Sequence, residues 1–303
     1  MSVSGTINPR KIPELRAVLE LIKPITWFPP MWAYVCGVIS SGVSPTHDWY
    51  IVLLGIVLAG PIVCGMSQAA NDWCDRNVDA INEPNRPIPS GRVPTHWGLG
   101  IAVAMSILSL IVGWQLGPWG FGATILAVTA AWMYSAEPIR LKRSGWWGPG
   151  IVGLSYESLP WFTGAAVLSA GAPTLPVITV ALLYGIGAHG IMTLNDFKAL
   201  EGDRQMNVNS LPVVHGPKAA ARMACLIMTL PQLGVVGLLV HWQQSYYAMS
   251  LGILILLQFI AMSIMLKDPR AKAPWYNGTG VLFYVFGMMI AAFALRNVPT
   301  IGS

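Results

Sequence analysis

The chain has 303 residues, of which 54% are hydrophobic and only 10% are charged, with a net charge of +5. Soluble domains carry roughly a quarter of their residues as charges, so this composition excludes a soluble fold and predicts an integral membrane protein. The basic excess does not imply nucleic acid as a partner, because the Lys and Arg residues sit in short segments between apolar runs, where membrane topology places them.

Residues 1–22 carry Arg10, Lys11 and Arg16 and are expected to be a cytoplasmic segment. The apolar stretch that follows is too long and too rich in Trp and Pro for a cleaved signal. A spanning helix needs about 20 apolar residues. Residues 24–47 and 49–71 contain no Asp, Glu, Lys or Arg, and each predicts one span. Residues 93–136 predict a hairpin of two, broken at Gly117-Pro118. Residues 149–195 predict two more, broken near Gly171-Ala172-Pro173, with Glu157 inside the first. Residues 223–266 predict another pair, broken between His241 and Ser245, and residues 273–295 predict the last. The expected fold is all-α, a polytopic bundle of nine transmembrane helices with its N-terminus in the cytoplasm. With that topology every Lys and Arg except Arg296 falls on the inside, as the positive-inside rule requires. The chemistry is therefore expected at the cytoplasmic face. The cysteines Cys36, Cys64, Cys74 and Cys225 form no C-x-x-C pair and are expected to be free thiols.

The inside end of the second span reads Asn71-Asp72-Trp73-Cys74-Asp75-Arg76-Asn77-Val78-Asp79. Carboxylates at i, i+3 and i+7 share one helical face, and like charges this close need a cation between them. The inside end of the sixth span reads Asn195-Asp196-Phe197-Lys198-Ala199-Leu200-Glu201-Gly202-Asp203, again with acids at i and i+7. Both motifs open Asn-Asp-aromatic at the end of an apolar helix, which suggests a weak internal duplication facing the two across a bundle. Oxygen ligands without His or Cys suit Mg²⁺, which completes its shell with water and substrate phosphates. Two ions are expected, with Mn²⁺ an alternative occupant. The candidate ligands are Asp72, Asp75, Asp79, Asp196, Glu201 and Asp203, and Asp72, Asp75, Asp196 and Asp203 are the candidate catalytic residues. Arg86, Arg92, Arg140, Lys142, Arg143, Lys198 and Arg204 lie in the same loops, suited to neutralise a departing pyrophosphate. Of these, Arg86, Lys142, Arg143, Lys198 and Arg204, with Asn71 and Asn195, are the candidate diphosphate-binding residues.

These motifs resemble those of the UbiA superfamily of intramembrane prenyltransferases. Arg86-Pro87-Ile88-Pro89-Ser90-Gly91, Tyr134-Ser135 and Leu141-Lys142-Arg143 are similar to that family's intervening loops, and the resemblance runs from Leu21 to Arg296. The second motif departs from the common pattern, which has an acid where this chain has Ala199. That variant, followed by Ser210-Leu211-Pro212, is similar to the chlorophyll and bacteriochlorophyll synthase branch. Trp27-Phe28-Pro29-Pro30, Ser67-Gln68-Ala69-Ala70 and Trp275-Tyr276-Asn277-Gly278-Thr279-Gly280 look closest to the purple bacterial members. The resemblance implies Mg²⁺-dependent transfer of a geranylgeranyl or phytyl group from its diphosphate to the propionate carboxylate of a bacteriochlorophyllide or chlorophyllide. It implies one prenyltransferase domain over residues 1–303, in a bacterial inner, photosynthetic membrane, with pigment-biosynthesis or photosystem-assembly proteins as partners.

Glu157 is an acid inside a span, which points by default to function: a polar contact to the tetrapyrrole or to a neighbouring helix. His189 lies seven residues before Asp196, about 10 Å deeper on the same face, and is a candidate ligand of the tetrapyrrole's central metal or a satisfied interior His. The rival readings are a quinone- or haem-precursor prenyltransferase, a secondary transporter and a non-catalytic pigment-binding protein. A transporter's coupling acids would lie near the midplane, and pigment binding alone would leave the five Asp unexplained.

Overall fold

The computed structural model describes residues 12–44, 46–205 and 208–298; the expected basic residues Arg10 and Lys11 lie outside them. The described residues are helical apart from their connections and one isolated β-bridge, Ser144 with Asn209. In chain order the helices are α1 (Leu15–Ile22), α2 (Phe28–Ser40), α3 (Trp49–Val57), α4 (Gly65–Asn82), α5 (Thr95–Gln115), α6 (Gly117–Ser135), α7 (Trp147–Gly153), α8 (Leu159–Ser169), α9 (Leu175–Asn195), α10 (Leu200–Gln205), α11 (Leu211–His215), α12 (Pro217–His241), α13 (Ser245–Met265) and α14 (Pro269–Leu295).

Six helical stretches are long and apolar enough to cross a bilayer: Trp49–Asn82, Thr95–Gln115, Leu175–Lys198, Pro217–His241, Ser245–Met265 and Pro269–Leu295. The chain turns at each of the three predicted breaks, and the first falls where Gly and Pro demand it. Gly117 takes φ +76, open to glycine without a Cβ clash, and Pro118 sits in the first turn of α6, where its missing N–H costs nothing. Ala170 turns the chain out of α8 at φ 51, and Gln243 does so between α12 and α13 at φ 59.

Two π-helical segments interrupt the rods. Leu58–Cys64 joins α3 to α4 around Pro61, and Leu154–Ser158 joins α7 to α8 just before Pro160. Proline has no backbone N–H to donate to the i−4 carbonyl, and its ring crowds that carbonyl; a widened turn absorbs the mismatch. Residues of both segments face the same cavity.

Lipid supplies no hydrophobic drive between helices, so the bundle closes through small residues and interhelical hydrogen bonds. A Cβ on Gly37 of α2 would stand 2.0 Å from the Trp161 carbonyl oxygen of α8, and one on Gly164 of α8 would stand 2.2 Å from the Tyr34 carbonyl oxygen of α2. Trp161 Nε1 donates to Ser40 Oγ at 3.0 Å across this crossing, and Gln232 Nε2 donates to Gln258 Oε1 at 3.1 Å between α12 and α13. Trp161 stacks on Tyr184, which meets Tyr284 edge to face. The four Cys are free.

Candidate active site

The first acidic motif stays on one continuous helix, because α4 runs unbroken to Asn82. The second does not. Helix α9 ends at Asn195, Asp196–Lys198 form a 3₁₀ turn, and Asp203 stands on the separate α10. The expected i, i+7 relation of Asp196 and Asp203 along one helix is therefore replaced by a hinge. Ala199 is the corner: it adopts φ −98, ψ 4, and its carbonyl accepts from Asp203 N at 2.8 Å.

The two motifs open on one cavity of about 900 Å³. Asn71, Asp75 and Asp79 line it from α4, and Asn195, Asp196, Lys198, Ala199 and Asp203 from the second motif. Arg86, Arg140, Lys142 and Arg143 reach it from the loops. Tyr134 of α6 lines the same cavity. Away from these groups the lining becomes largely apolar, with Pro29, Pro30, Leu58, Ala59, Val63, Ala127, Ile151 and Leu159.

The carboxylates are already partnered by cations. Arg140 Nη2 lies 2.8 Å from Asp75 Oδ1, and Lys142 Nζ bonds Asp75 Oδ2. Arg86 Nη1 lies 2.9 Å from Asp79 and 3.5 Å from Asp72, while its Nε donates to Glu83 at 2.6 Å. Burial works against the Arg86 charge, but Glu83, Asp72 and Asp79 outweigh it and raise its pKa. Burial pulls the Lys142 ammonium below its ordinary pKa, and the attraction of Asp75 does not fully offset it. Burial likewise raises Asp203, against the hydrogen bond its Oδ2 accepts from Ser210 at 2.7 Å.

The other predicted residues are placed as follows. Asp72 is 1% exposed and sits behind the cavity wall, paired with Lys23 at 2.7 Å. Glu201 is exposed and faces Arg270 at 3.6 Å and Arg204 at 3.9 Å, and neither Glu201 nor Arg204 lines the cavity. Arg143 turns its guanidinium to Glu137 at 2.8 Å. Glu157 and His189 are buried and outside the cavity lining; His189 packs against Trp146 and Thr193. Asn195 Oδ1 accepts from Asn277 Nδ2 at 2.8 Å. Residues not singled out from sequence also join the site. Gln68 had only a family likeness, and nothing in the sequence marks Tyr156, which faces the cavity one residue from Glu157; Lys23 backs the site through its pair with Asp72.

The donor chemistry fits a hard divalent cation. Asp75, Asp79, Asp196 and Asp203 supply oxygens from both sides of the cavity, and the buried Asp72 Oδ2 has no hydrogen-bond partner among the described residues. No three acids, His or Cys among the described residues form a ready cage, which suits an ion that completes its shell with water and ligand phosphates.

This chain belongs to the UbiA prenyltransferase family, whose model matches residues 27–295. It is 65% identical over 301 residues to the bacteriochlorophyll synthase 33 kDa chain of Cereibacter sphaeroides, covering 99% of this chain and 100% of that protein. It is 38% identical to the chloroplastic chlorophyll synthase of Arabidopsis thaliana over 92% of this chain and 74% of that one. Among solved structures, a UbiA homolog from Archaeoglobus fulgidus bound to DMAPP and Mg²⁺ superposes with a TM-score of 0.62 at 17% identity, covering 93% of this chain and 100% of the homolog. The all-helical fold is thus the UbiA fold, and the chain is an integral membrane prenyltransferase.

Proposed function

We propose that this protein transfers a geranylgeranyl or phytyl group from its diphosphate to the propionate carboxylate of bacteriochlorophyllide, releasing pyrophosphate. One observation carries the reaction class: acids and cations gather at one end of a cavity whose remainder is largely apolar. That is the shape of an amphiphile with a charged head and a hydrocarbon tail. The acceptor follows from the near-complete match to the bacteriochlorophyll synthase of Cereibacter sphaeroides at 65% identity, against 38% for the plant chlorophyll synthase.

The allylic C1–O bond breaks with its electron pair leaving on pyrophosphate, and a carboxylate oxygen forms the new C–O bond. The acceptor is already ionised at neutral pH, so the step needs no strong base. Arg86, Arg140, Lys142 and Lys198 offset charge growing on the leaving group, where fixed cations act most strongly. Asp75, Asp79, Asp196 and Asp203 are the residues that would hold Mg²⁺, one ion per motif, which when bound would neutralise the diphosphate oxygens; homologs solved with Mg²⁺ and with DMAPP or GPP support a divalent ion beside a prenyl diphosphate. The apolar walls keep water from the allylic cation.

The same reading takes residues 1–303 as one domain with nine spans, the N-terminus and the acidic end of the cavity in the cytoplasm, and a bacterial inner, photosynthetic membrane as its location. Pigment-biosynthesis or photosystem-assembly proteins are its expected partners. The test is an assay of membranes containing the protein with geranylgeranyl diphosphate and either bacteriochlorophyllide or chlorophyllide. The expected result is a Mg²⁺-dependent ester, formed faster with bacteriochlorophyllide, and its loss by more than about 100-fold in Asp196→Asn. Ester formation by the variant at the normal rate would overturn the metal assignment.

A further inference from the structure

Below the acids, the cavity holds one group of neutral polar side chains that the reading above leaves unused. Gln68 lies seven residues before Asp75 on α4, about 10 Å along the helix axis, and Nε2 of Gln68 donates to the Tyr156 hydroxyl at 3.0 Å. The Cys64 thiol lies 3.3 Å from the same hydroxyl. Cys64, Gln68 and Tyr156 all line the cavity. A phenol oxygen accepts up to two hydrogen bonds and donates one. Gln68 fills an acceptor site of the phenol oxygen with an N–H group, which leaves the phenol its one proton to donate. Tyr156 stands in the π-helical segment Leu154–Ser158, and the widened turn there turns the phenol, rather than the neighbouring Glu157, to the cavity.

We infer that Tyr156, held by Gln68, is the hydrogen-bond donor that receives the acceptor's carboxylate. The inference rests on the proposed esterification and names the residues that hold its second substrate. A carboxylate entering an apolar cavity must be hydrogen-bonded. If the cations near Asp75 and Asp79 supplied those bonds, the carboxylate would compete with the diphosphate for them. Neutral donors two turns deeper avoid this. They hold one carboxylate oxygen while the other attacks C1 on the side away from the leaving group. No proton is transferred: the C–O bond forms from a carboxylate lone pair, the C1–O bond breaks toward pyrophosphate, and the phenol keeps its hydrogen.

The test uses the full-length protein and two variants, Tyr156→Phe and Gln68→Met, in steady-state assays with geranylgeranyl diphosphate and bacteriochlorophyllide. A hydrogen bond to a charged partner corresponds to about 10- to 100-fold in affinity. The expected result is a rise of that size in KM for bacteriochlorophyllide in Tyr156→Phe, a smaller rise in Gln68→Met, and a KM for the diphosphate within about twofold of wild type, which also reports intact folding. Binding of the propionate methyl ester, read by pigment fluorescence, separates charge recognition from ring recognition. Wild type should prefer the free acid to the ester, and Tyr156→Phe should lose that preference. An unchanged KM for bacteriochlorophyllide, equal losses for both substrates, or retained preference for the free acid would each overturn the inference. Absence of ester from the wild-type protein would overturn the proposed reaction instead.

Discussion

Lys23 Nζ stands 2.7 Å from Asp72 Oδ1, a contact between a residue at the end of α1 and a carboxylate buried to 1% exposure in α4. Lys23 itself takes the left-handed conformation, φ 45, at the joint between α1 and the 3₁₀ turn that leads into α2. The first acid of the first motif is thereby the anchor of the N-terminal surface helix.

Removing the cation strands that charge. Lys23→Met leaves Asp72 with Arg86 at 3.5 Å as its ion partner. Breaking one side of a buried pair costs about 3–5 kcal/mol, and the quarter exposure of Lys23 lowers this toward about 2. The expected outcome is a lower midpoint of thermal unfolding in detergent, partly restored by adding Asp72→Asn, which deletes the stranded charge. Additive losses in the double variant would contradict the pairing.

Metal removal should separate binding from folding. On the proposed reading the ion is held jointly by the carboxylates and the diphosphate oxygens. Chelation with EDTA should abolish ester formation and return it on Mg²⁺ addition, while the unfolding midpoint of the substrate-free protein moves little. A large drop in that midpoint on chelation would mean that the ion is structural.

A pH effect is expected at an exposed ion pair. Arg92 bonds both Glu20 carboxylate oxygens, at 2.5 and 2.8 Å, and its hydrogen bond lowers the Glu20 pKa below 4.5. A depressed carboxylate pKa means that the pair's contribution is complete above the unfolded value and fades as pH falls through the folded one. Both groups are exposed, so the effect is a few tenths of a kcal/mol. Arg92→Gln should return the Glu20 titration, followed by carboxyl NMR, to the ordinary range; an unmoved titration would reject the pairing.

The α2–α8 crossing has no room for a methyl group. Gly37→Ala sets a Cβ against the Trp161 carbonyl oxygen, and backbone cannot yield as a side chain can. Overpacking of this kind costs about 1–3 kcal/mol or more. The variant should show a reduced yield of folded protein and a lower unfolding midpoint, and a wild-type midpoint would refute the close approach.

The breaks between rods were legible because Gly117-Pro118, Gly171 to Pro173 and the polar residues after His241 act locally. The gathering of cations and acids at one end was legible from their confinement to alternate loops. Three features were not. The Lys23–Asp72 pair joins residues 49 apart in sequence, and no local signal announces it. The hinge at Ala199 splits a motif that reads as one continuous helical face. The π-helical segment at Leu154–Ser158 breaks the periodicity of about 100° per residue, so a sequence reading settles on Glu157 when the cavity receives Tyr156.

The β-bridge between Ser144 and Asn209 joins two loops of the site. Gly145 N donates to Asn209 O at 2.9 Å, and Asn209 N donates to Arg143 O at 3.0 Å. One strand of this clasp follows Lys142 and Arg143, and the other follows Asp203. Neither loop can swing away alone without giving up both bonds, so the cation-bearing and acid-bearing loops of the site are tied to each other.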